Sequence, residues 1–224
     1  MDYIGYIILP LLLGLWAQWR VHAAFGRWSQ VAARSGVTGA EAAREVLRAA
    51  GVDGVTITRS EGFLSDHYNP ATKTLALSPD NHDGNSIAAL GVAAHEAGHA
   101  IQHAEGYAAL GLRSTLVPVT IVANQVAFWA MLLGGFMFRS SHNGWLLNLA
   151  IGAYAVITLF TLVTLPVEFD ASARARKALA STGLLGPDED RGARAVLDAA
   201  AWTYIAGFVA ALGNLLFLVG RRRD

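Results

Sequence analysis

The sequence predicts a mainly helical α+β membrane protein. Three observations lead there. Of its 224 residues, 54% are apolar and only 15% charged, against about 25% charged in an ordinary soluble domain. Four long runs carry no charge at all: Tyr3–Trp19, Leu116–Phe138, Trp145–Pro166 and Ala201–Gly220. Between the first two lies a polar region whose pattern reads helix, three short strands, helix.

A helix needs about 20 residues to cross a hydrocarbon core of about 30 Å. The last three runs meet that length and the first lies near the lower limit. Four such runs are too many for the buried core helices of a domain this small. Tyr3, Tyr6, Trp16, Trp19, Trp145 and Trp202 sit at run ends, where interfacial aromatics belong. The first run lacks a basic leader and a small-residue cleavage site, so it reads as an uncleaved anchor rather than a signal peptide. The expected partition is an anchor over 1–19, a polar core over 20–115, a transmembrane hairpin over 116–166, a polar segment over 167–200, and a last span with a basic tail over 201–224.

The hairpin returns the chain to the side it left, so the two polar regions share one side of the membrane. The first holds 8 Lys and Arg and the second 5, leaving Arg139 and Arg221–Arg223 for the other side. The positive-inside rule then places both polar regions in the cytoplasm of a multi-pass cell-membrane protein. The terminal Arg triplet pulls the opposite way. Formal net charge is zero, and no basic face suggests a nucleic-acid partner. The expected partners are the lipid bilayer and a polypeptide. There is no cysteine, so His, Asp and Glu are the strong metal ligands available.

After the anchor, Arg20, Arg27 and Arg34 recur every seven residues while Val21, Phe25 and Trp28 fall on another face. This is either an amphipathic helix on the membrane surface or a plain extension of the anchor. Thr38-Gly39-Ala40-Glu41 is a capping box, and the helix it opens stops at Gly51. Val55–Thr58, Gly62–Tyr68 and Lys73–Ser78 have strand character, with turn chemistry at Asn69-Pro70-Ala71-Thr72. Asn85 or Ser86 caps the next helix, which runs to about Gly106.

That helix carries GVAAHEAGHAIQHAEG (91–106). His95-Glu96-Ala97-Gly98-His99 matches H-E-x-x-H. Residues at i and i+4 share a helix face, so both imidazoles can address one ion. Glu96 is turned about 100° from His95, which directs it to a water on the metal instead of the metal itself. Zinc lowers the pKa of such a water towards 7, and the carboxylate takes its proton as a carbonyl is attacked. With His and Glu each about 3% of residues, chance predicts on the order of 0.006 such motifs in the chain. His95 and His99 are therefore read as Zn2+ ligands and Glu96 as the catalytic base.

A catalytic zinc takes a third protein ligand. His103, at i+8, lies about 12 Å along the axis from His95. Glu105, ten residues after His95, would need a helix break that Gln102 does not supply. Asp66 and His67 lie on the strand hairpin. Glu168, in LPVEFDASARARKALA, appears abruptly after the third span, on the side that bears HEAGH. Glu168 is the favoured third ligand. The alternative is that Glu168 and Asp170 merely favour a helix N-terminus there. Asp170 orients a ligand histidine or caps the helix. For the developing oxyanion the donors to weigh are His67, Tyr68 and Arg174, each with a plain packing or solvation reading beside it.

The segments GVTGAEAAR (36–44), LSDHYNPATKTLALS (64–78), GVAAHEAGHAIQ (91–102) and LPVEFDASARA (165–175) resemble the neutral zinc metallopeptidases of bacterial membranes, the YugP-like group, over most of residues 20–180. The resemblance implies a zinc-dependent membrane peptidase with His95, His99 and Glu168 as ligands and Glu96 as base. It further implies a minimal gluzincin-like core of a small β-sheet and an active-site helix, with Thr74–Ser78 holding substrate in extended form. One departure stands out. In better-known gluzincins an Asp follows the metal-binding Glu three or four residues on, where this chain has Ala171 and Ser172. Three functions are thus in play: a membrane-anchored zinc endopeptidase, engaged in membrane protein turnover; a site-2-type intramembrane protease; and a non-catalytic metal-binding scaffold. The second would place HEAGH within a span and use an L-D-G aspartate, for which Leu197-Asp198-Ala199 is the nearest match.

Overall fold

The computed structural model describes residues 3–62, 65–137 and 144–222. Helix α1 (Tyr3–Trp28) is followed by α2 (Gly39–Ala49), strands β1 (Thr56–Arg59), β2 (His67–Asn69) and β3 (Thr74–Leu77), a short α3 (Pro79–His82), and helices α4 (Ile87–Ala104), α5 (Ala108–Met137), α6 (Gly144–Ser181) and α7 (Pro187–Arg221). The protein is α+β and mainly helical. Four helices, α1, α5, α6 and α7, are long and apolar enough to cross a membrane. Phe138 and Arg139 lie outside the described residues.

The helices outrun the uncharged segments that announce them. α1 continues without a break to Trp28, so the stretch after Trp19 is an extension of the anchor helix. α6 runs through Pro166 to Ser181. Glu168 and Asp170 therefore sit in mid-helix, and the dipole of a helix N-terminus does not account for them.

The chain divides into two compact units. One comprises Met1–Ala17, Gly111–Leu165 and Thr203–Asp224, the bulk of the apolar helices. Small side chains set its helix contacts: Ala123, Ala127 and Ala153 form one buried cluster, and Ala130, Ala150 and Leu218 another. Close approach through small residues is the usual packing of spans, since lipid offers no hydrophobic drive between them. Its polar side chains turn back onto their own helices, as Thr120 Oγ1 does to the Leu116 carbonyl and Thr158 Oγ1 to that of Tyr154. Outward-facing Ile7, Leu9, Leu12, Ile121, Val122 and Phe128 are exposed, as lipid-facing side chains must be.

The other unit, Gln18–Leu110 with Pro166–Trp202, has a soluble-type core. The capping box forms as read: Thr38 Oγ1 accepts from the Glu41 amide, and the Glu41 carboxylate accepts from the Thr38 amide at 2.8 Å. This starts α2, whose buried Ala42, Ala43, Val46 and Leu47 pack with Leu90, Ala93 and Ala97 of α4 in one core. The sheet order is β1-β3-β2, with β3 parallel to β1 and antiparallel to β2. Leu75, Ala76 and Leu77 are all buried, as befits a central strand covered on both faces. β2 begins later than the pattern suggests, because Asp66 is used as a tie. Its carboxylate accepts from the amide and hydroxyl of Ser78 and from Asn81 Nδ2, fixing the end of β3 to the start of α3.

Candidate metal centre

The site is built inside this second unit, from α4 and the part of α6 that follows Pro166. Ser86 caps α4 through a hydrogen bond from the Ala89 amide. The helix stops where Gly106 takes φ +68°, a conformation that side chains with a Cβ resist. His95 and His99 lie one turn apart with ring centroids 4.8 Å apart and planes at 80°. Glu168 reaches them from α6 with Oε2 3.1 Å from His95 Nε2 and 3.5 Å from His99 Nε2. Among the described residues these three form a group whose ligand atoms all lie within 4.8 Å of one another. Two imidazole nitrogens and one carboxylate oxygen are a donor set suited to zinc with an open fourth position.

The two helices meet because Gly98 lets them. A Cβ at Gly98 would lie 2.6 Å from the Ala171 carbonyl oxygen and 3.2 Å from Ala171 Cα. Gly98 and Ala171 thus mark the crossing that brings Glu168 to the histidines. Gly98→Ala must push backbone against backbone. It is expected to cost roughly 1–3 kcal/mol of stability by overpacking and to weaken zinc binding, read by thermal unfolding and by metal titration of the purified protein.

The burial is deep. Glu168 is 2% exposed, His99 6% and Glu96 8%. Each imidazole has its other nitrogen occupied: His95 Nδ1 lies 3.2 Å from Ser172 Oγ, and His99 Nδ1 lies 3.0 Å from Gln102 Oε1. Gln102, fully buried, donates to the Val167 carbonyl at 2.8 Å and to Asp170 Oδ2 at 2.7 Å. Arg174 joins Asp170 to Glu105 at the end of α4, with contacts of 2.5 and 2.6 Å.

Burial opposes charge on His99. The Glu168 hydrogen bond, the charges of Glu96 and Glu168 and the Gln102 contact outweigh it and raise the pKa. A raised pKa keeps a proton on the metal-free site to higher pH than an ordinary histidine would. That proton competes with the metal. Zinc affinity is therefore expected to fall as pH drops through the raised pKa and to recover above it. Calorimetric titration in buffers of different ionisation enthalpy would show the proton released on binding.

The remaining sequence candidates are placed elsewhere. His103 is half-buried and lies 2.8 Å, through Nδ1, from the Tyr68 hydroxyl. Glu105 is the C-cap of α4 and pairs with Arg174. His67 is exposed, with Nδ1 2.9 Å from the Ser65 carbonyl. Asp198 pairs with Arg194 on the exposed face of α7. Gln102 and Ser172 escape a sequence reading. Their signal is only positional: Gln102 falls three residues after His99, and Ser172 four after Glu168.

The family model described as "Putative neutral zinc metallopeptidase" matches residues 3–223 of the chain. A relative from Bacillus subtilis (strain 168), named "Putative membrane protease YugP", is 42% identical over 226 residues, covering 99% of each chain. No solved structure matches. With a match that spans nearly every residue and a relative this similar, the chain belongs to the neutral zinc metallopeptidase family.

Proposed function

We propose that the chain is a membrane-anchored zinc endopeptidase that cuts membrane or membrane-associated polypeptides at the cytoplasmic face. The observation that carries this reading is the convergence of His95 Nε2, His99 Nε2 and Glu168 Oε2, with the carboxylate of Glu96 one residue along the same helix. Zinc held there would supply a Lewis acid and a water of lowered pKa. Glu96 takes the proton of the attacking water on its carboxylate and returns it to the departing amine. Its burial keeps bulk water from competing for that proton.

Substrate is held along a strand edge. Thr74–Leu77 is paired on both sides, by β1 and by β2, so it has no edge to offer an extended peptide. β2 does: its outer edge has no partner strand among the described residues, and Tyr68 ties it to His103 of the metal-bearing helix. The substrate strand is thus assigned to β2, with Tyr68 at its centre and a candidate donor to the oxyanion.

The intramembrane alternative would need HEAGH within a span. α4 is not among the four candidate spans, and its Ile87, Leu90, Ala93, Ala97 and Ile101 belong to the core shared with α2 and β3. The aspartate it would use, Asp198, is already paired with Arg194. A non-catalytic scaffold gives no role to a buried carboxylate beside the metal ligands.

The test uses inverted membrane vesicles carrying the full chain. Added unstructured peptide is expected to be cleaved, cleavage to stop with a chelator and return with zinc, and alternate N-methylation of the peptide to suppress it by removing strand hydrogen bonds. Cleavage that survives the chelator would reject the zinc mechanism, and cleavage only in right-side-out vesicles would reject the cytoplasmic placement.

A further inference from the structure

We propose that Gln102 is a positioning residue that carries the Asp170–Arg174 ion pair to His99, so that the two histidine ligands are held by unequal supports. The inference rests on the metal-centre reading of the site.

The hydrogen-bond directions follow from the neighbours. The amide nitrogen of Gln102 faces two acceptors, the Val167 carbonyl at 2.8 Å and Asp170 Oδ2 at 2.7 Å. A side-chain NH2 carries two donors, and both are used. The amide oxygen therefore faces His99 Nδ1 at 3.0 Å. An amide oxygen only accepts, so Nδ1 carries the hydrogen. The lone pair of the neutral ring is then on Nε2, the nitrogen aimed at Glu168 Oε2. Gln102 selects the tautomer that can bind a metal, and a second partner on a ligand histidine fixes both its ring angle and its basicity.

Gln102 is itself held. It is fully buried, and its donors anchor it to the backbone and a side chain of α6. Asp170 would be a poor anchor if it swung into solvent, but Arg174 grips it one turn on and is gripped in turn by Glu105 on α4. The chain of contacts runs Glu105, Arg174, Asp170, Gln102, His99, and closes between the two helices that supply the ligands. A negative charge thus backs His99 through an amide, not by direct contact.

His95 is served differently. Its Nδ1 meets Ser172 Oγ at 3.2 Å, a longer contact to a neutral group that no charge backs among the described residues. Ser172 stands four residues after Glu168, where a carboxylate would face His95 directly. In this chain the carboxylate stands two residues earlier, at Asp170, and it works on the other histidine through Gln102.

The experiment is a double-mutant cycle on the full chain in detergent, with zinc affinity and the cobalt(II) visible spectrum as readouts. Gln102→Met and Asp170→Asn are each made alone and together. Gln102→Met is expected to weaken zinc roughly 10- to 100-fold, the usual effect of losing a partner of a ligand histidine, and to alter the cobalt bands. Asp170→Asn keeps an oxygen that can accept from Gln102 and Arg174 but removes the charge. It is expected to weaken zinc severalfold in the wild-type background and to have no effect once Gln102 is methionine. An Asp170→Asn effect of equal size in both backgrounds would overturn the relay, as would wild-type affinity and spectrum in Gln102→Met. Should Gln102→Met fail to fold, Asp170→Asn alone decides: unchanged affinity and unchanged cobalt bands would overturn the proposal. Failure of the wild-type protein to bind either metal would overturn the metal centre as well, which separates the two readings.

Discussion

Glu96→Gln is expected to retain zinc and lose peptide hydrolysis by roughly 10²- to 10⁴-fold, the range for removal of a general base. The amide has nearly the shape of the carboxylate it replaces but cannot accept the proton of the attacking water. Glu96 lies outside the cluster of converging ligand atoms, which is His95, His99 and Glu168, so metal content is expected to be unchanged. The measurement is paired: zinc per chain by elemental analysis, and cleavage of a quenched fluorescent peptide. Full activity in the variant would remove Glu96 from the reaction. Loss of zinc together with activity would make it a ligand.

Glu168→Ala is expected to abolish stoichiometric zinc, whereas His103→Ala and Glu105→Ala are expected to keep it. The distinction is geometric. Glu168 Oε2 faces both Nε2 atoms within 3.5 Å. His103 is engaged with Tyr68, and Glu105 with Arg174. Removing Glu168 also leaves two histidines without the buried carboxylate they face, and breaking a buried pair by deleting one partner is destabilising. The metal-free variant is therefore expected to unfold at a lower temperature than the metal-free wild type. Zinc at wild-type stoichiometry in Glu168→Ala would end its assignment as a ligand.

Much of the architecture is legible in the sequence because it is local. A span is an uncharged run of sufficient length, and the described residues of the four runs lie within four long helices. A helix start is a hydroxyl three residues before a carboxylate, and Thr38 and Glu41 form that box. The spacing of His95 and His99 is a property of one helix. Glu168 is a partial case. Its abrupt charge after the third apolar run marks it, and the expected hairpin topology places it with HEAGH. Its meeting with the histidines depends on a helix crossing that no window of sequence contains.

What only the tertiary structure decided is non-local in the same way. Strand character at Thr74–Leu77 does not tell a central strand from an edge. Pairing on both sides does, and it leaves Thr74–Leu77 without a free edge. Asp66 reads as a candidate ligand by type alone, but three donors from Ser78 and Asn81 claim it. Gln102 reads as an ordinary helix residue until α6 presents a carbonyl and a carboxylate to it. The physical reason is common to all three. Periodicity and capping are set by neighbours within a few residues, and the sequence by itself determined the long apolar helices, the helix starts and half of the candidate metal site. The other half exists where Gly98 passes Ala171 without a side chain between them, and only the packed chain brings that contact about.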